Sequence, residues 1–384
     1  MNITGIICEY NPLHLGHFRQ ISRLHQEDPA GGTVCLMSGN YVQRGAPAVF
    51  DKAVRAAAAI DCGADLVLEL PVTAALSSAE GFAAEGIRIL GSFCNQLSFG
   101  AEDPDPEKLQ QAARILLCPD FSDLLKAELQ QGYSFPAARQ KAAEKMGLDS
   151  SILAKPNNIL AVEYCKAILS QKSQIKPAPI DRPGDYNATV ADPQNPSATA
   201  LRSRIHNRED WLDFVPEAAK AHYTHAAIHD ISCGERAILY RLRSMTDADF
   251  EALPYGSEGL WRKLMRNARQ CATLEEVITA TKSKRYTRTR LDRMVMCAFL
   301  GLTQEDIRSP APYVRVLALS CKGREILNTA RKSGIFLNIG EKSNHPYANT
   351  EQRCDDLYGL FCQNTPEPSG QADSRRIYYR KGED

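Results

Sequence analysis

The sequence predicts an α/β chain in which a parallel sheet with right-handed crossovers precedes an α-helical domain. Three observations carry this expectation. Short apolar runs, Ile3–Cys8, Thr33–Met37, Asp65–Leu70 and Gln96–Phe99, alternate with segments of helical spacing. The first run passes directly through a Pro-containing turn into a helical segment. From Glu209 onward strands are expected to vanish, and the apolar spacing of residues 209–330 suits a helical bundle.

Taken in order, Ile3 to Cys8 reads as a buried strand because it is short and rich in β-branched residues. Asn11–Pro12 ends it. A helix opens near Gly16 with Phe18, Ile21 and Leu24 on one face. Gly31–Gly32 turn the chain into the second strand, which leads to the polar loop SGNYVQRGAPA at 38–48. Strand C-termini line the ligand crevice of an open α/β sheet, so Ser38, Asn40, Gln43 and Arg44 are candidate substrate contacts; an ordinary surface loop is the alternative. The Ala-rich segment 51–62 is helical. Lys52 and Arg55 near its start oppose the helix dipole, which points to a partner anion or to a plain solvated face. Pro71 closes the third strand, Ala74–Leu90 reads as a helix, and Gly100 closes the fourth strand. Residues 104–150 read as a helical insertion, 158–169 as a helix and Ile175–Ile180 as a proline-punctuated strand.

Composition narrows the classes. With 384 residues the chain holds two or three domains and a large core. Lys plus Arg equals Asp plus Glu at 46 each, so any polyanion surface is local. The nearest to one is KSKRYTRTRLDR at 282–293, with six cations against one anion. There Lys282, Lys284, Arg285, Arg288 and Arg290 suit RNA phosphates, and Tyr286 suits base stacking or inward packing. No run approaches the roughly 20 apolar residues of a membrane span, and a core strand so close to Met1 leaves no room for a signal peptide. Twelve scattered cysteines without C-x-x-C read as reduced thiols of a cytoplasmic enzyme. His222, His225 and His229 share helical spacing, but with no carboxylate or Cys in phase except Asp230 they read as a surface or partly packed face, not a metal site.

Two segments carry chemistry. In HLGH the histidines stand three apart at a helix start, where unpaired N–H groups favour phosphate. His14 and His17 can donate to phosphate oxygens as charge develops, and Gly16 lets an adenine ring approach. In PSATALRSRI at 196–205, Ser197 and Thr199 can open a helix with their hydroxyls toward β- and γ-phosphates, and Arg202 can neutralise departing pyrophosphate. A simply capped helix with a surface arginine is the plainer reading of that segment alone.

NPLHLGH resembles the signature of HIGH-type nucleotidyltransferases, which have a Rossmann-like fold. With SGNYVQRGAPA, DKAVRAAAAIDCGADLVLELP, SFGAED, KPNNILAVEY and PSATALR in order, the chain is similar to the bacterial tRNA(Met) cytidine acetate ligases. The resemblance implies an ATP-binding catalytic domain at 1–207 and a helical tRNA-binding domain at 208–384. It implies an ATP site of Ile7, Cys8, Glu9, Tyr10, Asn11, Pro12, Leu13, His14, Leu15, Gly16, His17 and Gln20, joined by Gly100, Asn157, Arg182, Ser197 and Thr199. Asn157 equally suits an N-cap by position. Ala101 departs from expectation, since a small polar residue would suit the position after Gly100. The implied reaction activates acetate as acetyl-adenylate and acetylates N4 of the wobble cytidine of elongator tRNA(Met). His14, His17 and Arg202 stabilise charge, and Mg²⁺ travels with the nucleotide rather than in a protein metal site. No membrane or protein partner is implied. Two rivals remain, a small-molecule adenylyltransferase and a non-catalytic tRNA-binding protein.

Overall fold

A computed structural model describes residues 1–182, 196–338, 345–365 and 377–381. The chain opens with β1 (Ile3–Cys8), α1 (Leu15–Glu27), β2 (Gly32–Ser38), the short pair β3 (Tyr41–Val42) and β4 (Ala46–Pro47), α2 (Lys52–Asp61) and β5 (Leu66–Leu70). It continues through α3 (Val72–Ala75), α4 (Ala79–Leu90), β6 (Gln96–Ala101), α5 (Pro106–Leu117), α6 (Pro119–Gln130), α7 (Phe135–Lys145), α8 (Pro156–Ser170), β7 (Lys176–Asp181) and α9 (Ala198–His206). Then come α10 (Glu217–Thr224), α11 (Glu235–Ser244), α12 (Asp247–Glu251), α13 (Leu260–Gln270), α14 (Leu274–Thr281), α15 (Arg288–Leu300) and α16 (Gln304–Arg308). Last are β8 (Val314–Ser320), α17 (Cys321–Lys332), β9 (Leu337–Asn338), α18 (Pro346–Tyr358) and β10 (Tyr378–Arg380).

The main sheet has the order β10-β8-β5-β2-β1-β6-β7, with β9 paired to β8. Strands β5, β2, β1, β6 and β7 run parallel, so their C-termini share one edge. Alternation along β2 and β5 feeds two cores. Val34, Leu36, Leu66, Leu68 and Leu70 meet α4, α5, α8 and α17, while Cys35, Met37 and Val67 meet α1, α2 and α10. Both faces are covered, as parallel pairing requires. A third core gathers α11, α13, α14 and α15 and reaches Tyr41, Val72 and Leu76. Those three residues follow the ends of β2 and β5, so the bundle stands at the carboxyl edge of the sheet.

The expectation that strands vanish after Glu209 is corrected. β8 pairs antiparallel with β5, and β10 lies parallel on β8. The sheet is therefore mixed, and the chain returns to it after the bundle. The helix expected over Ala74–Leu90 is interrupted, because Ser78 caps α4 through its hydroxyl and leaves α3 a separate turn. His222, His225 and His229 do not share a helical face, since α10 ends at Thr224. His222 bonds Asp61 at 2.6 Å, whereas buried His229 stacks on Tyr358 at 3.8 Å. The insertion at 104–150 is helical as read and packs through α5 on α8. Much of the tail beyond Gly370 lies outside the described residues. Among the described residues no helix is long and apolar enough to cross a membrane.

Candidate active site

The turn between β1 and α1 is fixed from several directions. Asn11 Oδ1 accepts from the Val49 amide at 2.8 Å, and the Tyr223 hydroxyl accepts from the Leu13 amide at 3.2 Å. Arg55 donates to the Glu9 carbonyl at 2.7 Å, and the Glu9 carboxylate accepts from the Gln43 amide at 2.8 Å. Tyr10 is buried with φ of 45°, the left-handed region that few non-glycine residues adopt. Pro12 and Leu13 are buried as well, so they shape the turn by packing.

His14 caps α1. Its Nδ1 accepts from the Gly16 amide at 3.1 Å, and His17 Nδ1 accepts from the His14 amide at 3.3 Å. The two rings stack at 3.7 Å. With each Nδ1 an acceptor, the neutral tautomer carries its proton on Nε2. His14 is 2% exposed, and its Nε2 is buried without a hydrogen-bond partner among the described residues. A buried donor left unpaired carries a desolvation cost that a ligand acceptor would remove. Burial, followed by the charges of Arg182, Arg19 and Arg202, pushes the His14 imidazole down to about 3. Burial, then His14 and Arg182, holds His17 well below its ordinary value. The pair is therefore neutral at pH 7, and the surrounding positive potential comes from arginines.

Gly16 has a reason beyond access for a flat ring: a Cβ there would lie 2.9 Å from the His14 ring. The cap needs glycine. Gln20, one turn further along α1, donates to the Ser98 hydroxyl at 3.0 Å and ties the helix to β6.

The segment 197–202 converges on this turn. Ser197 caps α9 by accepting from the Ala200 amide at 3.1 Å. Arg202 donates to the Asn11 carbonyl at 2.9 Å and to the Thr199 hydroxyl at 3.1 Å. A third group closes from β6 and β7. Arg182 donates to Asn157 Oδ1 at 3.3 Å, and Asn157 donates to Glu102 at 2.8 Å. A Cβ on Gly100 would lie 3.0 Å from Arg182 Cδ, so glycine there makes room for the arginine. Asn157 is not the N-cap of α8; that position is Lys155, and the Glu102 carboxylate accepts the Asn157 and Asn158 amides. Glu102 and Arg19 were not singled out from the sequence. Glu102 was legible as the acid of SFGAED one residue past a strand end; Arg19 carried no distinguishing signal.

Other residues are used by the scaffold. Lys52 is 3% and Arg55 0% exposed. Lys52 pairs with Glu69 at 2.8 Å and Asp355 at 2.7 Å, and Arg55 bonds the carbonyls of Phe50, Glu9, Ser38 and Gly39. The partner anion inferred for Lys52 is thus internal, and neither residue can meet RNA. Asn40 is spent between the Lys52 amide and Asp355, and Ser38 is fully buried. Gln43 and Arg44 remain half-buried on the loop. In the basic segment Arg285 pairs with Glu258, Arg288 with Glu275 and Asp292, and Arg290 bonds the Tyr255 carbonyl. Exposed Lys282 and Lys284 belong to no ion pair among the described residues.

The family model described as HIGH Nucleotidyl Transferase matches residues 1–373. A tRNA(Met) cytidine acetate ligase of Clostridium perfringens is 38% identical over 363 residues, covering 89% of this chain and 90% of that protein. A tRNA(Met) cytidine acetate ligase of Alkaliphilus metalliredigens is 33% identical, covering 99% of each. Among solved structures, apo Thermotoga maritima TmcAL superposes with a TM-score of 0.90 at 28% identity over 100% of both chains. The same protein bound with alpha-thio ATP gives 0.88 at 28% identity, again over 100% of both chains.

Proposed function

The chain belongs to the HIGH nucleotidyl transferase family and stands within it among the tRNA(Met) cytidine acetate ligases; on that premise we propose that it uses ATP to join acetate to N4 of the wobble cytidine of elongator tRNA(Met). One observation supports this above the rest: Arg202 donates to the carbonyl of Asn11, three residues before His14, whose buried Nε2 has no hydrogen-bond partner among the described residues. Donors from two distant segments are thereby held at one turn.

Acetate is a poor acyl donor because its leaving group is poor. In the first step its carboxylate oxygen bonds the α-phosphorus of ATP while the bond to the bridging oxygen breaks, and pyrophosphate leaves with that electron pair. His14 and His17 donate through Nε2–H to phosphate oxygens, and Arg202 and Arg182 offset the charge of the leaving group. Preorganised donors of this kind are worth about 3–4 kcal/mol each in the transition state. In the second step the N4 lone pair attacks the acetyl carbon, the carbon–oxygen bond to AMP breaks, and N4 gives up one proton. No nucleophilic side chain is needed; positioning and charge stabilisation suffice.

The carboxylates at the site, Glu9 and Glu102, already accept from the Gln43, Asn157 and Asn158 amides, and no three His, Cys, Asp or Glu side chains group as a metal cage among the described residues. Mg²⁺ would therefore be held by ATP phosphates and water. Residues 1–207 form the catalytic unit of this reading and the helices after 208 the tRNA-binding unit, with β8 and β10 returning to the catalytic sheet. Twelve free thiols suit a reducing cytoplasm. Incubation with labelled acetate, ATP and bulk bacterial tRNA, followed by nucleoside analysis, tests the reading. Label in N4-acetylcytidine is expected; acetate-independent adenylyl transfer to a small acceptor would favour the adenylyltransferase alternative.

A further inference from the structure

Helix α13 carries Arg262, Lys263, Arg266 and Arg269 and no carboxylate. Its Leu260, Leu264 and Ala268 are buried in the bundle core, which turns the opposite face outward. Arg262, Arg266 and Arg269 are exposed there at i, i+4 and i+7, a single stripe on a helix. Half-buried Trp261 and Met265 run beside it. The stripe lines a groove of about 350 Å³, toward the small end of the roughly 300–1,000 Å³ of ligand pockets. The Arg262 guanidinium lies 4.9 Å from the Trp261 ring centroid.

The charge on this face is available, unlike that of 285–290. Among the described residues the guanidinium groups of Arg262 and Arg266 have no hydrogen-bond or carboxylate partner. Asp247 stands at the rim, 3.4 Å from Arg269, in an exposed pair that contributes little. Lys263 Nζ donates to the Lys282 carbonyl at 3.4 Å, so exposed Lys282 and Lys284 extend the same positive surface. The bundle is tied to the carboxyl edge of the sheet, where the Tyr255 hydroxyl donates to the Leu76 carbonyl at 2.8 Å and Arg293 to the Gln43 carbonyl at 3.4 Å.

We propose that the α13 groove is an RNA-binding surface, with Trp261 stacking an unpaired base and Arg262 and Arg266 holding the flanking phosphates. The inference rests on the tRNA-modifying reading above and deepens it by naming the surface. Guanidinium groups flanking an aromatic face fit a strand whose bases are splayed out: the phosphates meet the cations and a base meets the ring. An acidic peptide would satisfy the arginines but would bring no planar base to the indole.

The test uses the full chain. Replacing Arg262 and Arg266 together with Ala should weaken tRNA binding about tenfold or more and lower the slope of log affinity against log salt by about one to two. Acetate-dependent pyrophosphate exchange should stay within about twofold of the unmodified enzyme. Fluorescence supplies an independent readout, since Trp211 and Trp261 are the two tryptophans. In Trp211→Phe, tRNA should quench the remaining emission; in Trp261→Phe it should not. Unchanged affinity and salt slope in the double variant, with normal exchange, would overturn the surface and leave the ligase reading standing. Quenching that survives in Trp261→Phe would overturn the stacking role, and polyglutamate that displaces tRNA without quenching Trp261 would assign the face to acidic protein instead. Absent exchange together with absent tRNA binding in the unmodified chain would overturn both readings.

Discussion

Arg202 Nη1 donates to the carbonyl oxygen of Asn11 at 2.9 Å, across 191 positions of sequence. The bond joins α9 to the turn that carries His14, and Ile205 of the same helix packs in one core with Tyr10 and Leu13. The same guanidinium holds the Thr199 hydroxyl at 3.1 Å, so its plane is set by two acceptors at once.

Arg202→Lys should therefore not rescue Arg202→Ala. A lysine keeps the charge but reaches only one of the two acceptors. Both variants are expected to lose on the order of 10²-fold in acetate-dependent pyrophosphate exchange. Lysine at wild-type rate would show that charge alone matters at this position.

His14→Ala and His17→Ala should each cost about 3 kcal/mol in adenylate formation, on the order of 10²-fold in rate. Burial places the His14 imidazole at about 3 in the free enzyme. It is charged only below that value and neutral above it, so kcat/KM for ATP should show no His14 titration between about pH 5 and 8. An inflection near 6.5 that disappears in His14→Ala would contradict the neutral-donor role.

Gly100→Ala should raise KM for ATP several-fold while leaving the fold intact. The new methyl would sit 3.0 Å from Arg182 Cδ and push the guanidinium off Asn157. Unchanged KM would remove Arg182 from the nucleotide site.

The buried cluster around Arg315 gives a stability prediction. Arg315 meets Glu69 at 3.0 Å, Glu351 at 3.2 Å and Asp355 at 3.2 Å, and Lys52 meets Glu69 and Asp355. Two cations face three carboxylates. Burial, only partly offset by the Arg315 charge, pushes Glu351 up to about 7. The folded protein thus keeps a proton that the unfolded chain has lost above about 4.3, so this group makes stability fall as pH rises through that window toward 7. Glu351→Gln should flatten this slope, by on the order of 2 kcal/mol between pH 5 and 8. Denaturant melts across that range would show it; an unaltered slope would rule out Glu351 as the proton holder.

Much of the catalytic half was legible because its signals are local. β1, the Asn11–Pro12 turn, the imidazole pair and the start of α1 lie within one short stretch, and strand, turn and helix signs agree there. The convergence of Ser197, Thr199 and Arg202 on that turn was an inference from the order of motifs, and the Arg202–Asn11 bond now gives it geometry. What the sequence concealed depends on distant partners. Lys52 resembles a solvated cation because Glu69 lies 17 and Asp355 303 positions away. Arg285 and Arg288 resemble free cations because Glu258 and Glu275 fall outside the basic run. β8 was hidden because VRVLALS, interrupted by Arg315, sits among helices and pairs with a strand some 250 positions upstream.

The most direct measurement is a crystal structure of this chain soaked with ATP. Phosphate oxygens within about 3 Å of both His14 Nε2 and the Arg202 guanidinium are expected, with the triphosphate bridging the start of α1 and α9. A nucleotide bound elsewhere, with His14 Nε2 still unpaired, would contradict a shared site and with it the activation of acetate at this turn.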